Sequence, residues 1–181
     1  LPVSSGCALP LAVPSCAFAG KTPTSICGMD LIFNSDNLDT VGWANLGYSQ
    51  PNAVSIKNQL AQAASGVCTT NSPGESNVFD DVVTLNNGSI TSALRAVTSA
   101  VESSPTYWNS AQLGALPKQD PKSSILKGRY GSTLEGLIYV YDDPRNCSGT
   151  KYTGTVTLDG YADIVIYDVI DNAKAASRKI K

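Results

Sequence analysis

The chain has 181 residues, which is enough for one domain with a substantial hydrophobic core. Its formal net charge is −2 and only 15% of its residues are charged, so it lacks the charge that binding to nucleic acid or an anionic membrane surface requires. Because the sequence contains no histidine, Ser-His and Cys-His nucleophilic pairs are excluded.

Five cysteines are spread along the chain, at Cys7, Cys16, Cys27, Cys68 and Cys147. None forms a CxxC pair, and without histidine the usual zinc ligand sets are disfavoured. The favoured interpretation is disulfides in an oxidising compartment, which also suits a Ser-, Thr- and Asn-rich composition. Two bridges and one remaining thiol allow fifteen arrangements (five choices of the unpaired cysteine times three pairings), and the sequence does not choose among them.

Residues 1–28 are rich in proline and cysteine and predict an extended N-terminal arm. Leu9, Leu11 and Val13 are its apolar residues. Two interpretations stay open: a strand that covers the edge of the core, or an assembly segment that inserts into an adjacent subunit. The sequence contains no run of eighteen apolar residues, so no membrane-spanning helix is predicted. A chain that begins at Leu1 is expected to have been processed or truncated, without the segment that exported or anchored it.

Residues 29–33 predict a short strand, and an Asx-rich segment follows it. Asn34, Asp36 and Asp39 are candidate calcium ligands, because hard cations bind several oxygens from one short loop. Their spacing does not fit the EF-hand pattern, so turn formation is the favoured interpretation. Trp43 and Leu46 are predicted to be core anchors.

Two stretches have the apolar spacing of amphipathic helices, residues 52–64 and residues 89–103. Ser49 or Asn52 is expected to cap the first helix, which places Cys68 where it could join the helix end to the arm. Between the helices, residues 81–85 predict a strand that ends in a turn at residues 86–88. The basic tail at residues 172–181 predicts a short helix or an exposed end.

Residues 136–170 hold the densest β-branched and aromatic content in the chain and predict the sheet on which the rest packs. The alternation at residues 137–141 is that of a strand, and the Asp-, Pro- and Asn-rich residues 142–146 end it. Asp159 and Gly160 then predict either a hairpin turn or a bulge in one long bent strand, and the bulge is favoured.

These elements predict an α+β domain with a mainly antiparallel sheet and two amphipathic helices on one face, stapled by disulfides. The predicted organisation is an extended arm at residues 1–28, a single domain at residues 29–171 and a basic tail at residues 172–181.

No arrangement of acidic residues predicts an active site. Asp142 and Asp143 are best explained as turn formers, and Asp163 and Asp168 are five positions apart on a predicted strand and so face opposite ways. No catalytic residue, metal or cofactor is therefore expected. Cross-strand packing is the ordinary explanation for a set of four tyrosines, with a sugar-binding platform as the alternative. The four are Tyr139, Tyr141, Tyr161 and Tyr167.

An ordered set of short motifs resembles the exported portion of the TadE/TadG-related Flp (tight-adherence) pilus-assembly proteins. The motifs are LPLAVPSC from Leu9, Cys27, VGWANL from Val41, Cys68, VTLNNGSITSALRAV, and GLIYVYDD…NCSG…TLDGYADIVIYDV. Family members normally carry an N-terminal transmembrane helix, so this chain is expected to be the distal domain, released or excised from that helix. The family has no agreed catalytic residues, so none is carried over.

The resemblance implies a non-enzymatic structural subunit, or minor component, of a tight-adherence-type pilus or surface filament at the bacterial surface or in the periplasm. Its expected partners are copies of itself or other pilus components, including a missing membrane-anchored N-terminal region. Two other functions stay open: an adhesin-like module that binds a surface glycan or protein, and a hydrolase that uses carboxylates.

Overall fold

A computed structural model describes residues 7–26, 28–33, 40–65, 82–88, 90–106, 132–145, 152–171, 174 and 178–181. The strands are β1 (Ala8–Pro14), β2 (Leu31–Phe33), β3 (Thr40–Leu46), β4 (Val82–Asn86), β5 (Leu134–Tyr141), β6 (Gly154–Ile166), β7 (Val169–Ile170) and β8 (Lys179–Ile180). The α-helices are α1 (Pro23–Ile26), α2 (Ala53–Ser65) and α3 (Thr91–Ser103), and a 3-10 helix spans Ser15–Phe18. The domain is α+β, as the sequence predicts.

Five strands form a closed ring of pairings. The strand order is β1-β5-β6-β4-β3-β2-β8-β7, and β1 also pairs with β3, which closes the ring β1-β5-β6-β4-β3. The β1–β5 and β2–β3 pairings are parallel and the others are antiparallel. The sheet is therefore mixed but mainly antiparallel.

The ring encloses a small set of buried side chains that we call the inner cluster. Its members come from all five strands of the ring, as expected when alternate residues of each strand point inward. They are Ala8, Ala12, Ala44, Val83, Leu85, Tyr139, Tyr141, Val156 and Leu158. Three of the nine are alanines, which leaves room for the two tyrosine rings.

The opposite strand faces pack against the two long helices. On β1 the alternate residues Leu9, Leu11 and Val13 all join this second core, together with Trp43 of β3. Ile56 and Leu60 of α2, and four residues of α3, cover them: Ala93, Leu94, Val97 and Val101. Period-2 alternation in the strands and 3.6-residue spacing in the helices thus meet in one layer.

The N-terminal arm is a strand of the chain's own sheet. Leu9, Leu11 and Val13 are fully buried between β5 and β3, so this fold leaves none of them exposed to an adjacent subunit. Of the arm predicted at residues 1–28, Ala8–Pro14 therefore form a strand of the sheet, whereas Ser15–Phe18 and Pro23–Ile26 form short helices and not the predicted extended chain. Pro10 lies where the register between β1 and β5 shifts, a place where a missing backbone N–H costs no regular ladder bond.

The long strand β6 contains a bulge at the predicted place. Val140 pairs with Gly160 whereas the next residue, Tyr141, pairs with Leu158, so Asp159 is the extra residue. The bulge changes which face carries the even-numbered side chains. Val156 and Leu158 lie in the inner cluster, whereas Ala162, Ile164 and Ile166 pack on the helix side. The hairpin alternative is wrong.

The helix predictions agree with the structure to within two residues at each end. The Asn52 side chain caps α2, because its Oδ1 accepts hydrogen bonds from the backbone N–H groups of Val54 (2.9 Å) and Ser55 (3.0 Å). Helix α3 begins at Thr91, and Ile90 before it makes no side-chain cap.

The basic tail was predicted to be a short helix or an exposed end, and this prediction is wrong for its last residues. Lys179 and Ile180 form β8, which pairs with β2 and β7, and Ile180 is fully buried. Lys179 Nζ lies 2.6 Å from the Asp30 carboxylate. The apolar Ile180, in a segment that otherwise looks solvated, explains why it adds a strand.

Gly136 allows a close approach of β5 to β1, and we expect Gly136→Ala to lower the free energy of unfolding by about 1–3 kcal/mol. A Cβ there would lie 2.9 Å from Leu9 Cγ, which is buried and cannot move away freely. Gly160→Ala is the matched control, because a Cβ on that glycine would have no neighbour within 4 Å. Urea titrations that find the two variants equally stable would contradict the proposed clash.

Candidate functional site

The structure describes only some of the predicted site residues. Cys7 and Cys16 are each disulfide-bonded. The other three cysteines, Cys27, Cys68 and Cys147, lie outside the described residues, as do the candidate calcium ligands Asn34, Asp36 and Asp39. Within the described ranges, no group of three His, Cys, Asp or Glu side chains is placed to hold a metal ion.

The predicted tyrosine set is mostly interior packing. Tyr139 is fully buried and Tyr141 nearly so, both in the inner cluster, and the Tyr139 ring lies 5.6 Å from that of Tyr161. Burial raises the pKa of both the Tyr139 and the Tyr141 hydroxyl. Two of the four rings are therefore inaccessible to a sugar, and the platform alternative is wrong for them.

The predicted acidic turn after β5 is held by an ion pair. Asp143 accepts hydrogen bonds from the backbone N–H of Arg145 (2.9 Å) and from both ends of its guanidinium group (3.0 Å each). Burial raises the pKa of the Asp143 carboxyl, but these hydrogen bonds and the guanidinium charge outweigh it, so the pKa lies below its usual value of 3.8. Asp143 is therefore a charged structural residue of the turn, whereas Asp142 is exposed.

We expect Asp143→Asn to lower the free energy of unfolding by about 1–2 kcal/mol at pH 7, since it weakens charge-assisted hydrogen bonds to a partly exposed arginine. The folded-state pKa is depressed, so this stabilisation is present above the unfolded-state pKa, near 3.8, and is lost as the pH falls through the folded-state pKa. Urea titrations at pH 7 and pH 3 should show the gap between variant and parent narrowing in acid. Asp142→Asn serves as the control, and an equal loss in that variant would refute the role of the pair.

A cleft lies between the end of β3 and α2, and we call it the amide cleft. It is lined by Asn45, Leu46, Ser49, Ser55, Asn58, Gln59 and Gln62, and it has a volume of about 270 Å³. Residues 55, 58, 59 and 62 share one face of α2 because i, i+3, i+4 and i+7 positions coincide on a helix. Asn45 is the second-to-last residue of β3. Its neighbour Ala44 points into the ring, so Asn45 faces the other side of the strand.

A buried pair of amides holds the cleft in shape. Gln59 Nε2 donates a hydrogen bond to Asn45 Oδ1, and Asn45 Nδ2 donates to the Ser49 carbonyl oxygen at 3.1 Å. Only 7% of Asn45 and 5% of Gln59 is exposed. Gln59 Oε1 is buried and accepts no hydrogen bond from the described residues. The amide pair beneath the cleft therefore includes a buried acceptor with unused hydrogen-bonding capacity.

Other concave surfaces among the described residues are lined differently. One, of about 220 Å³, is lined mainly by apolar side chains of β6 and of the segment around α1, among them Phe18, Ile26 and Ile164. A second is an open groove between α2 and α3, lined by alanines and serines together with Lys57 and Arg95. A third lies beside the bulge of β6 and is lined in part by Asp159 and Asp163. None of these three contains a buried, hydrogen-bonded pair of side-chain amides.

Sequence reasoning missed the amide cleft. Asn45 lies within the GWANL motif and Gln59 lies within a helix that was identified by its apolar face. In the sequence alone, neither differs from an ordinary solvent-exposed polar residue. The signal that was present is the row Ser55, Gln59 and Gln62 on α2, polar at helical spacing yet directly beside the core positions Ile56 and Leu60.

Comparison with protein-family models, with curated proteins and with solved structures finds no match to this chain. Among the described residues, no helix is both long enough and apolar enough to cross a membrane.

Proposed function

We propose that this chain is a non-enzymatic, extracytoplasmic structural subunit or minor component of a tight-adherence-type pilus or surface filament. In this role it associates with copies of itself or with other pilus components, including a membrane-anchored N-terminal region. The proposal starts from the ordered motifs of the sequence. It assigns the protein a role outside the cytoplasm of a bacterium.

The observation that carries the proposal is the state of two cysteines. Cys7 and Cys16 flank β1, and each is disulfide-bonded. Stable structural disulfides form in exported proteins and are rare in the cytosol, where thiols are kept reduced. This supports an extracytoplasmic location, which a pilus component requires.

Further support comes from the positions of the motif residues. LPLAVP lies in β1, VGWANL in β3, VTLN in β4, GLIYVY in β5 and TLDGYADIVI in β6. Each motif thus lies in a different strand of the five-stranded ring. If the pilus-assembly proteins have the same five-stranded ring, the motifs that form its strands are expected to occur in this order along the chain.

We also propose that two disulfides staple the domain. The seven residues of β1 separate Cys7 from Cys16 by an extended stretch of more than about 20 Å, whereas the Cα atoms of a disulfide lie within about 7 Å, so the two do not bond to each other. Each therefore has its own partner among the remaining three cysteines. Cys7 Sγ lies 3.4 Å from the carbonyl oxygen of Gln62 near the end of α2, which favours Cys68 as its partner.

The test of the structural role is the assembly state of the protein purified from its native source. Light scattering and negative-stain imaging should show filaments or defined oligomers, with and without reductant. A protein that stays monomeric at high concentration under both conditions, and that does not co-purify with pilus components, would refute the proposal.

A further inference from the structure

We propose that the amide cleft is a binding site for a neutral carbohydrate, with Asn45, Asn58 and Gln59 as its hydrogen-bonding residues and with Tyr48, in the adjoining loop, as an aromatic contact of the bound sugar. This would be a ligand-binding activity beyond the structural role, and it does not depend on that role. The argument rests on the chemistry of the lining, the state of the buried amides and the exposure of Tyr48.

The lining excludes charged ligands as the best fit. Every polar side chain that lines the cleft is an amide or a hydroxyl, and no charged side chain of the described residues lies among them. Amides and hydroxyls both donate and accept hydrogen bonds, as do the adjacent hydroxyls of a sugar. An anion or a cation would leave the donors or the acceptors of such a surface without partners.

The buried amides give the cleft a prearranged polar floor. The hydrogen bond from Gln59 to Asn45, and that from Asn45 to the Ser49 carbonyl, fix the orientation of both amides before any ligand arrives. Gln59 Oε1 lacks a donor among the described residues, and a buried acceptor without a donor is unfavourable. A ligand hydroxyl that donates to this oxygen would satisfy it, and because the oxygen is buried, binding requires a small shift of the side chains that cover it.

Tyr48 does not itself line the cleft, but it is next in sequence to Ser49, which does, and it is the aromatic side chain that we propose for contact with a bound sugar. It is 80% exposed, the largest exposure of any large hydrophobic side chain among the described residues. It stands in the loop between Leu46 and Ser49, and both of these residues line the cleft. An exposed ring beside polar groups suits a ligand with an apolar C–H face and hydroxyls at its edge. A volume of about 270 Å³ is near the lower end of the range for ligand pockets, which fits one sugar unit.

The experiment uses the full 181-residue chain, isotopically labelled, titrated with a panel of neutral methyl glycosides and followed by NMR chemical shifts. We expect saturable shifts centred on residues 45–62 with at least one glycoside. Tyr48→Ala and Asn58→Ala alter exposed side chains and should preserve the fold while weakening that binding about tenfold. Gln59→Leu keeps the side-chain volume and should weaken it at least as much.

Gln50→Ala is the matched control, since Gln50 is exposed in the same loop as Tyr48 but has no aromatic ring and, unlike Asn58, does not line the cleft; the affinity of this variant should be unchanged. The absence of saturable binding by every glycoside of the panel would overturn the inference. So would binding that is unaffected by Tyr48→Ala and Asn58→Ala, because that result would place a sugar site elsewhere on the protein. Neither result bears on whether the chain assembles into filaments.

Discussion

Deletion of Asp159 is expected to prevent the domain from folding. Asp159 is the extra residue of the bulge in β6, and its own side chain is exposed. Without it, the first half of β6 can no longer keep its register with β4 while the second half keeps its register with β5. A one-residue shift in register turns every side chain of a strand to the other face.

The expected cost of the deletion follows from the side chains that would change face. If the first half keeps its register, Ala162, Ile164 and Ile166 leave the helix-side core and Tyr161 loses its packing against the inner cluster. Burial of one large aliphatic side chain contributes about 1.5–3 kcal/mol, and the whole stability of a domain is about 5–15 kcal/mol. If the second half keeps its register, Val156 and Leu158 are displaced instead. Either choice removes a large share of the total.

Circular dichroism and a urea titration of the purified deletion variant would measure this effect. The matched control is Asp159→Ala, which keeps the residue count and should remain within about 0.5 kcal/mol of the parent because it changes only an exposed side chain. A deletion variant that unfolds cooperatively with nearly the stability of the parent would show that β6 tolerates the shift, and the account of its two faces would be wrong.

The bulge could be predicted because its signal is local. Apolar residues alternate on each side of Asp159 and Gly160, and that alternation is legible within one short stretch of sequence. The two helices were predictable for the same reason, since apolar spacing and the Asn52 cap are both local features.

The ring could not be predicted, because its closure joins strands that are far apart in the chain. Leu11 pairs with Trp43 in antiparallel orientation, and Ala8 pairs with Leu137 in parallel orientation. The sequence of β1 does not indicate either partner strand. The prolines of β1 argue for an edge strand. The structure reconciles them with a two-sided strand by shifting the register around Pro10. Strand β3 was missed because Gly42 and Asn45 interrupt its apolar pattern.

The amide cleft was unpredictable for a related reason. Its central hydrogen bond joins Asn45 and Gln59, residues on different elements that meet only when α2 packs back on β3. A lone polar residue on a helix is most often solvated, so burial of Gln59 becomes visible only after the fold is known. The sequence therefore predicts the layers well, and the tertiary structure is needed to find where polar groups are enclosed between them.

We expect Cys7→Ala to lower the free energy of unfolding by about 4 kcal/mol, because it removes the disulfide bond of Cys7, which we propose ties the start of β1 to a distant part of the chain. In the chain-entropy account, a cross-link that closes a loop of roughly 60 residues, as a Cys7–Cys68 bond would, restricts the unfolded chain by this amount. Loops to Cys27 or Cys147 would give about 3 and 5 kcal/mol, so the magnitude depends little on the partner.

The partner is identified by non-additivity. If Cys7 bonds to Cys68, Cys68→Ala should cost about as much as Cys7→Ala, and the double variant should cost little more, since two changes that break one interaction do not add. Non-reducing peptide mapping provides the direct check. Reductant should lower the stability of the parent below that of oxidised Cys7→Ala, because it also breaks the bond of Cys16. If the cysteine whose substitution is non-additive with Cys7→Ala is Cys27 or Cys147, the proposed Cys7–Cys68 pairing is wrong. If Cys7→Ala unfolds at the parent's urea concentration, the staple contributes nothing to stability.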